Sequence, residues 1–196
     1  MSEIQVPLFP LHAVLFPGGP LPLRVFEPRY LDLVSHCLRS NSPFGVCLIE
    51  SGTEVGAPST PYAVGTLARI VDWLRLPDGL LGITVIGEQR FRILERHVGP
   101  NQLTEARVEL LPQEPFVTLP AEYIPMADLL RQLVKHVSHL FADRPPRYDD
   151  SSWVGCRLAE LLPLPLAQKQ HLLQIDQPIQ RLERVRQLMG SLNIEL

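Results

Sequence analysis

Up to about residue 117 the apolar positions come in short runs bounded by Pro, Gly and Ser, which is the pattern of strands. Residues 4–9, 21–25 and 44–50 are such runs, and 62–74 is a longer one. LPDGL at 76–80 sets Pro-Asp-Gly between two apolar runs; Pro presets φ and Gly accepts a positive φ. A strand over 80–86 then completes a hairpin across 62–86. Two later segments alternate cleanly. In QRFRILER, Phe91 and Ile93 face one way and Arg90 and Arg92 the other. In LTEARVEL, Thr104, Ala106, Val108 and Leu110 alternate with Glu105, Arg107 and Glu109. One buried and one wet face per strand is what antiparallel sheets closing on themselves use. A single helix interrupts this half. Pro28 suits its first turn, Tyr30, Leu33, Val34, Cys37 and Leu38 form one stripe, and SNSPFG at 40–45 ends it.

Beyond residue 117 the period becomes helical. Met126, Leu130, Leu133, Val134, Val137, Leu140 and Phe141 make a long stripe that stops at the polar connector DRPPRYDD, 143–150. Three shorter helices follow: from Ser151 or Ser152 to 162, from Pro165 to 175, and from Asp176 or Gln177 with Pro178 to 189, stopping at Gly190. The expected fold class is therefore α+β. A β-rich lobe over 1–116, with one helix near 28–40, precedes a helical lobe over 117–196, joined through QEPFVTLP at 113–120.

Composition narrows the function. The chain has 196 residues, 45% of them apolar, which suffices for a core without metal or disulfide. The formal net charge of −3 gives no global basic field for nucleic acid. Sixteen of the 18 basic residues are arginines, which suit planar or buried pairing. Cys37, Cys47 and Cys156 sit among apolar neighbours without C-x-x-C spacing, so they read as buried hydrophobes in a reducing compartment. No apolar run approaches the roughly 20 residues a bilayer span needs, and no basic residue opens the chain as in a secretory signal. A soluble cytoplasmic protein is expected.

Reactive constellations are missing. The only lysines are Lys135 and Lys169, and neither follows a glycine, which excludes a P-loop. Both are expected on solvated helix faces, unsuited to a Ser–Lys dyad. His136, His139 and Asp143 share a helix face, but it is the face opposite the apolar stripe, too open to order a metal. Asp149 and Asp150 lie in the connector, where nothing holds them in catalytic register. Arg90, Arg92, Arg96 and Arg107 could touch an anionic partner, yet Glu105 and Glu109 beside Arg107 favour a mixed-charge solvated sheet. No catalytic residue, cofactor or metal is expected. A hydrolase with an unrecognised site is the minor alternative.

One stretch remains, PLFPLHAVLFPGGPLPLRVFEPRY at 7–30. It holds six of the 20 prolines, yet is as apolar as a core. The prolines forbid a regular helix and thin out the N–H donors, so the segment is expected as a rigid wrap with few ladder bonds, reversed at Gly18-Gly19. Arg24, Glu27 and Arg29 surround Phe26 and suggest a structural ion pair.

This stretch, with its P-L-F-P-L, V-L-F-P-G and L-P-L-x-V-F-E-x-R-Y, resembles the N-terminal substrate-recognition domain of the Lon protease family. VGTLARIVDW, GITVIGEQRFRILE and the tail AELLPLPLAQKQHLLQIDQPIQRLERVRQL extend the likeness over nearly the whole chain. The resemblance implies a PUA-like antiparallel β pseudobarrel followed by a C-terminal helical bundle. It implies a stand-alone Lon-domain protein without ATPase or peptidase modules, so no catalytic residue is carried over. The function expected is non-enzymatic binding of polypeptide clients. They would lie in a groove between the two halves lined by Phe16, Arg24, Phe26, Arg29, Tyr30 and Trp73. The alternative is an adaptor for a separate ATP-dependent protease or chaperone. RNA binding, common in PUA-like barrels, is opposed by the acidic charge and the lack of a basic, aromatic-studded face. No membrane partner is expected.

Overall fold

The computed structural model describes residues 2–137 and 145–194. In chain order the elements are β1 (Glu3–Leu11), β2 (Pro20–Val25), α1 (Pro28–Ser40), β3 (Phe44–Ser51), β4 (Thr60–Pro61), β5 (Val64–Arg75), β6 (Leu81–Val98) and β7 (Thr104–Leu110). A 3-10 turn at Ala121–Tyr123 leads into α2 (Ile124–His136), then α3 (Ser151–Leu161), α4 (Leu166–Gln174) and α5 (Pro178–Ser191). Two compact units result, Met1–Gln113 and Glu114–Leu196. Among the described residues no helix is long and apolar enough to cross a membrane.

The first unit is a sheet of order β1-β7-β6-β5-β3-β4, with β2 added on β6. A further pairing of β1 with β3 links the path into a ring. That pairing is parallel, so the sheet is antiparallel except at this seam. β1 changes partner along its length: Glu3 to Pro7 run beside β7, and Leu8 to Leu11 beside β3. Each half of β1 thus keeps one edge free of a strand, which is where a residue lacking N–H can sit. Pro7 and Pro10 are accommodated this way. The expected bond-poor wrap is corrected: the proline-rich leader forms two laddered strands joined by residues 12–19.

The alternation of β1 feeds two cores. Leu8 packs with Cys47, Leu67, Phe91 and Val108. Phe9 and Leu11 pack with Tyr30, Leu33, Phe44 and Val85. Phe9 stacks on Tyr30 with ring centroids 3.9 Å apart. All three cysteines are buried and free, and burial pushes the Cys47 thiol well up.

The expected strands over 80–86 and in QRFRILER are one continuous strand, β6. Gly87, which looks like a break, is instead a crossing point. It accepts from Gly18 N–H at 2.7 Å and donates to Gly19 O at 2.9 Å, and a Cβ there would lie 2.2 Å from Phe16 O. The hairpin turn matches expectation: Gly79 has φ 86° and donates to Leu76 O at 2.8 Å.

Several side chains depart from the simple alternation. Arg90 is buried, not wet. β6 shifts register between Ile93 and Glu95, which reorders its outward face. Arg107 consequently pairs with Glu3 at 2.6 Å and Glu95 at 3.0 Å, not with Glu105 or Glu109.

In the second unit Met126, Leu130 and Val134 bury the stripe of α2; Leu140 and Phe141 lie outside the described residues, as do His139 and Asp143. Asp150 is no loose connector residue. It is buried, caps α3 by accepting from Ser152 N–H at 3.0 Å, and pairs with Arg147 at 3.4 Å. Lys169 is also corrected from solvated to part-buried: its Nζ donates to Glu160 O at 2.7 Å, and burial lowers its pKa. Fully buried Arg181 grips Glu114 through two bonds of 2.8 and 2.5 Å, and donates to Leu172 O at 3.0 Å and Ile175 O at 2.5 Å.

Candidate functional site

β2 pairs with β6 alone, so its other edge has no strand partner among the described residues. The Gly18 and Gly19 bonds to Gly87 fix which β2 residues point inward to the ladder. Counting by twos from there, Leu21, Leu23 and Val25 exchange bonds with β6, while Pro20, Pro22 and Arg24 direct their backbone groups outward. Two of the three outward positions are proline. The free edge therefore offers three carbonyl acceptors and a single N–H, from Arg24.

An apolar groove of about 350 Å³ runs along this edge, within the first unit. Its floor comes from Phe9 and Leu11 of β1, Leu21 and Leu23 of β2, and Tyr30 of α1. Its rim holds Phe26, 48% exposed, and Val55 of the β3–β4 loop, 53% exposed. Exposed apolar rims over a concave apolar floor are what a ligand-binding surface shows.

Three charged side chains line the groove: Arg24, Glu27 and Glu54. Arg24 is tied to Asp78 of the β5–β6 hairpin turn. Glu27 pairs with Arg29 at 3.0 Å, and its carboxylate lies 3.5 Å from Gly56 N–H, tethering the loop. Glu54 accepts from His12 N–H at 2.5 Å. Burial raises the Tyr30 phenol above its ordinary range; Arg29 opposes the rise, and Glu27 and Glu54 add to it.

Of the six residues expected at a groove, Arg24, Phe26 and Tyr30 come together here. Phe16 is 1% exposed and serves the core. Arg29 is buried behind the floor, donating to Gln102 O at 3.1 Å with its guanidinium 4.7 Å from the Tyr30 ring centre. Trp73 is 61% exposed and lies outside the groove lining. Register relates it to the floor all the same: Leu23 and Trp73 flank Ile83 from β2 and β5, so all three project from one face. Sequence reasoning missed Phe9, Leu21, Leu23, Glu54 and Val55. The every-second-residue spacing of Leu21 and Leu23 could have flagged two of them. Nothing local marks Glu54 or Val55, which a loop brings in from some thirty residues away.

A second hollow of about 420 Å³, between α1 and β1, carries Asp32, His36 and Glu105. Among the described residues no three metal-binding side chains converge.

A profile of the ATP-dependent protease La (LON) substrate-binding domain matches residues 5–191. The solved Lon N-terminal domain protein from Xanthomonas campestris is 41% identical, with a TM-score of 0.78, over 95% of this chain and 98% of that one. The N-terminal domain of Mycobacterium avium complex Lon protease shares the fold at a TM-score of 0.67 and 19% identity, over 98% of this chain and all of that one (100%). The Lon protease of Dictyoglomus thermophilum is 28% identical over 192 residues, which is 92% of this chain but 23% of that protein. This chain belongs to the family of Lon N-terminal substrate-binding domains. It spans about a quarter of the length of the curated Lon proteases it matches end to end.

Proposed function

We propose that this chain holds extended polypeptide segments in the β2 groove without reacting with them. The observation that carries the reading is the groove itself, an apolar floor with two exposed apolar residues on its rim. The substrate-binding name of its family supports the same reading. Cleavage of a held segment falls to an ATP-dependent Lon-type protease, the activity named in the longer relatives. This region acts either as that protease's holding part or as an adaptor to it, in the cytoplasm. In the same reading the ring of strands is a PUA-like pseudobarrel and the second unit a helical bundle.

The test is a titration of fluorescently labelled, permanently unfolded protein against the purified chain. Binding should saturate. Phe26→Ala with Val55→Asp should weaken it about tenfold, since both side chains are half-exposed and neither holds up the core. Non-saturable binding, or an unchanged affinity in the double variant, overturns the groove.

A further inference from the structure

The groove's polar complement is lopsided. Of its three charged linings, Arg24 and Glu27 are each neutralised by a partner, Asp78 and Arg29. Glu54 has no cationic partner among the described residues; only the His12 N–H holds its carboxylate. The formal charge of the five groups together is −1. The backbone along the groove repeats this bias, because Pro20 and Pro22 leave carbonyl oxygens facing out where an ordinary strand would alternate donors with acceptors. The groove thus offers acceptors from two independent sources, side chain and main chain, over an apolar floor. A carboxylate beside apolar walls is screened less than one in bulk water.

We infer that the preferred occupant is an extended segment in which a bulky apolar residue stands next to an arginine or lysine. The apolar side chain seats on Leu23 and Tyr30, and the cation lies against Glu54. This rests on the polypeptide-holding reading above and adds a charge preference to it. Acidic segments of equal hydrophobicity are turned away, because they would place a second carboxylate against Glu54.

The experiment uses three labelled peptides that share a Leu-Phe anchor and differ at the next residue: arginine, its neutral isostere citrulline, or glutamate. Their affinities are measured on the full chain by anisotropy at low and high salt. The arginine peptide should bind about three- to tenfold tighter than the citrulline peptide at low salt, and the glutamate peptide weakest. Glu54→Gln should erase the arginine–citrulline gap, while Glu105→Gln in the other hollow leaves both the gap and the citrulline affinity intact. Equal binding of all three peptides to the parent chain sinks the charge preference and leaves the apolar reading standing. A gap that survives Glu54→Gln sinks it too. Failure of every peptide to bind sinks both.

Discussion

Arg181 shows how a residue can decide the second unit while leaving little trace in the local sequence. On α5 it sits in a helical stripe where a leucine would serve, yet it is fully buried. It reaches Glu114, 67 positions earlier, and two carbonyls near the end of α4. Those carbonyls belong to Leu172 and Ile175, so one guanidinium both closes a helix end and pins the segment that begins the unit. Removing the guanidinium takes away the counter-charge that two short bonds hold against a largely buried carboxylate. Arg181→Met should therefore cost about 3–5 kcal/mol of stability, read by urea denaturation, with part of the loss recovered when Glu114→Gln is added. A loss below about 1 kcal/mol would show the pair to be dispensable. Sequence reading gave arginine's general suitability for buried pairing but not which arginine, because the choice depends on contacts between distant positions. Asp150 and Lys169 escaped for the same reason: each looks polar and exposed until a neighbouring element covers it.

At the level of elements the hydrophobic pattern was a good guide to type and a weaker one to continuity. Among the described residues the runs and stripes became strands and helices within a few residues. What alternation could not show was where strands bend or cross. The pattern gives β6 as two separate strands with Gly87 between them, and glycine ordinarily weakens a strand. Here the missing side chain lets the Phe16 carbonyl pass directly above. Gly87→Ala should cost about 1–3 kcal/mol, since backbone rather than a pliable side chain stands in the way. A thermal melt of the variant indistinguishable from the parent would refute that crossing. The short β4 left no signal, being two residues long. The leader's prolines were read correctly as removing donors, but the inference that they also prevent pairing failed, because each occupies a place where a strand has a side to spare.

For the molecule as a whole, each unit carries its own buried core, and every residue lining the groove lies before position 56 and is held by neighbours within the first unit. A unit of this size is within the usual range for independent folding. The fragment 1–113 should then unfold cooperatively and bind the Leu-Phe-Arg peptide within about threefold of the full chain. A fragment that lacks a cooperative transition, or that folds but has lost the peptide, would show that the groove depends on the rest. Half of the candidate site was legible before the structure because Arg24, Phe26 and Tyr30 lie in one short segment. Of the remainder, Leu21 and Leu23 share β2 with Arg24 and went unread, while Phe9 comes from β1 and Glu54 and Val55 from the β3–β4 loop, which contacts between distant positions bring to the groove.

The two prolines on the outer margin of β2 carry a hazard-avoiding consequence. An exposed strand margin is a site on which unravelled chains can stack into amyloid. Seeding needs a strand margin that both gives and receives hydrogen bonds at every second residue. With Pro20 and Pro22 in place the margin can receive but scarcely give, which makes it a poor template for fibril growth.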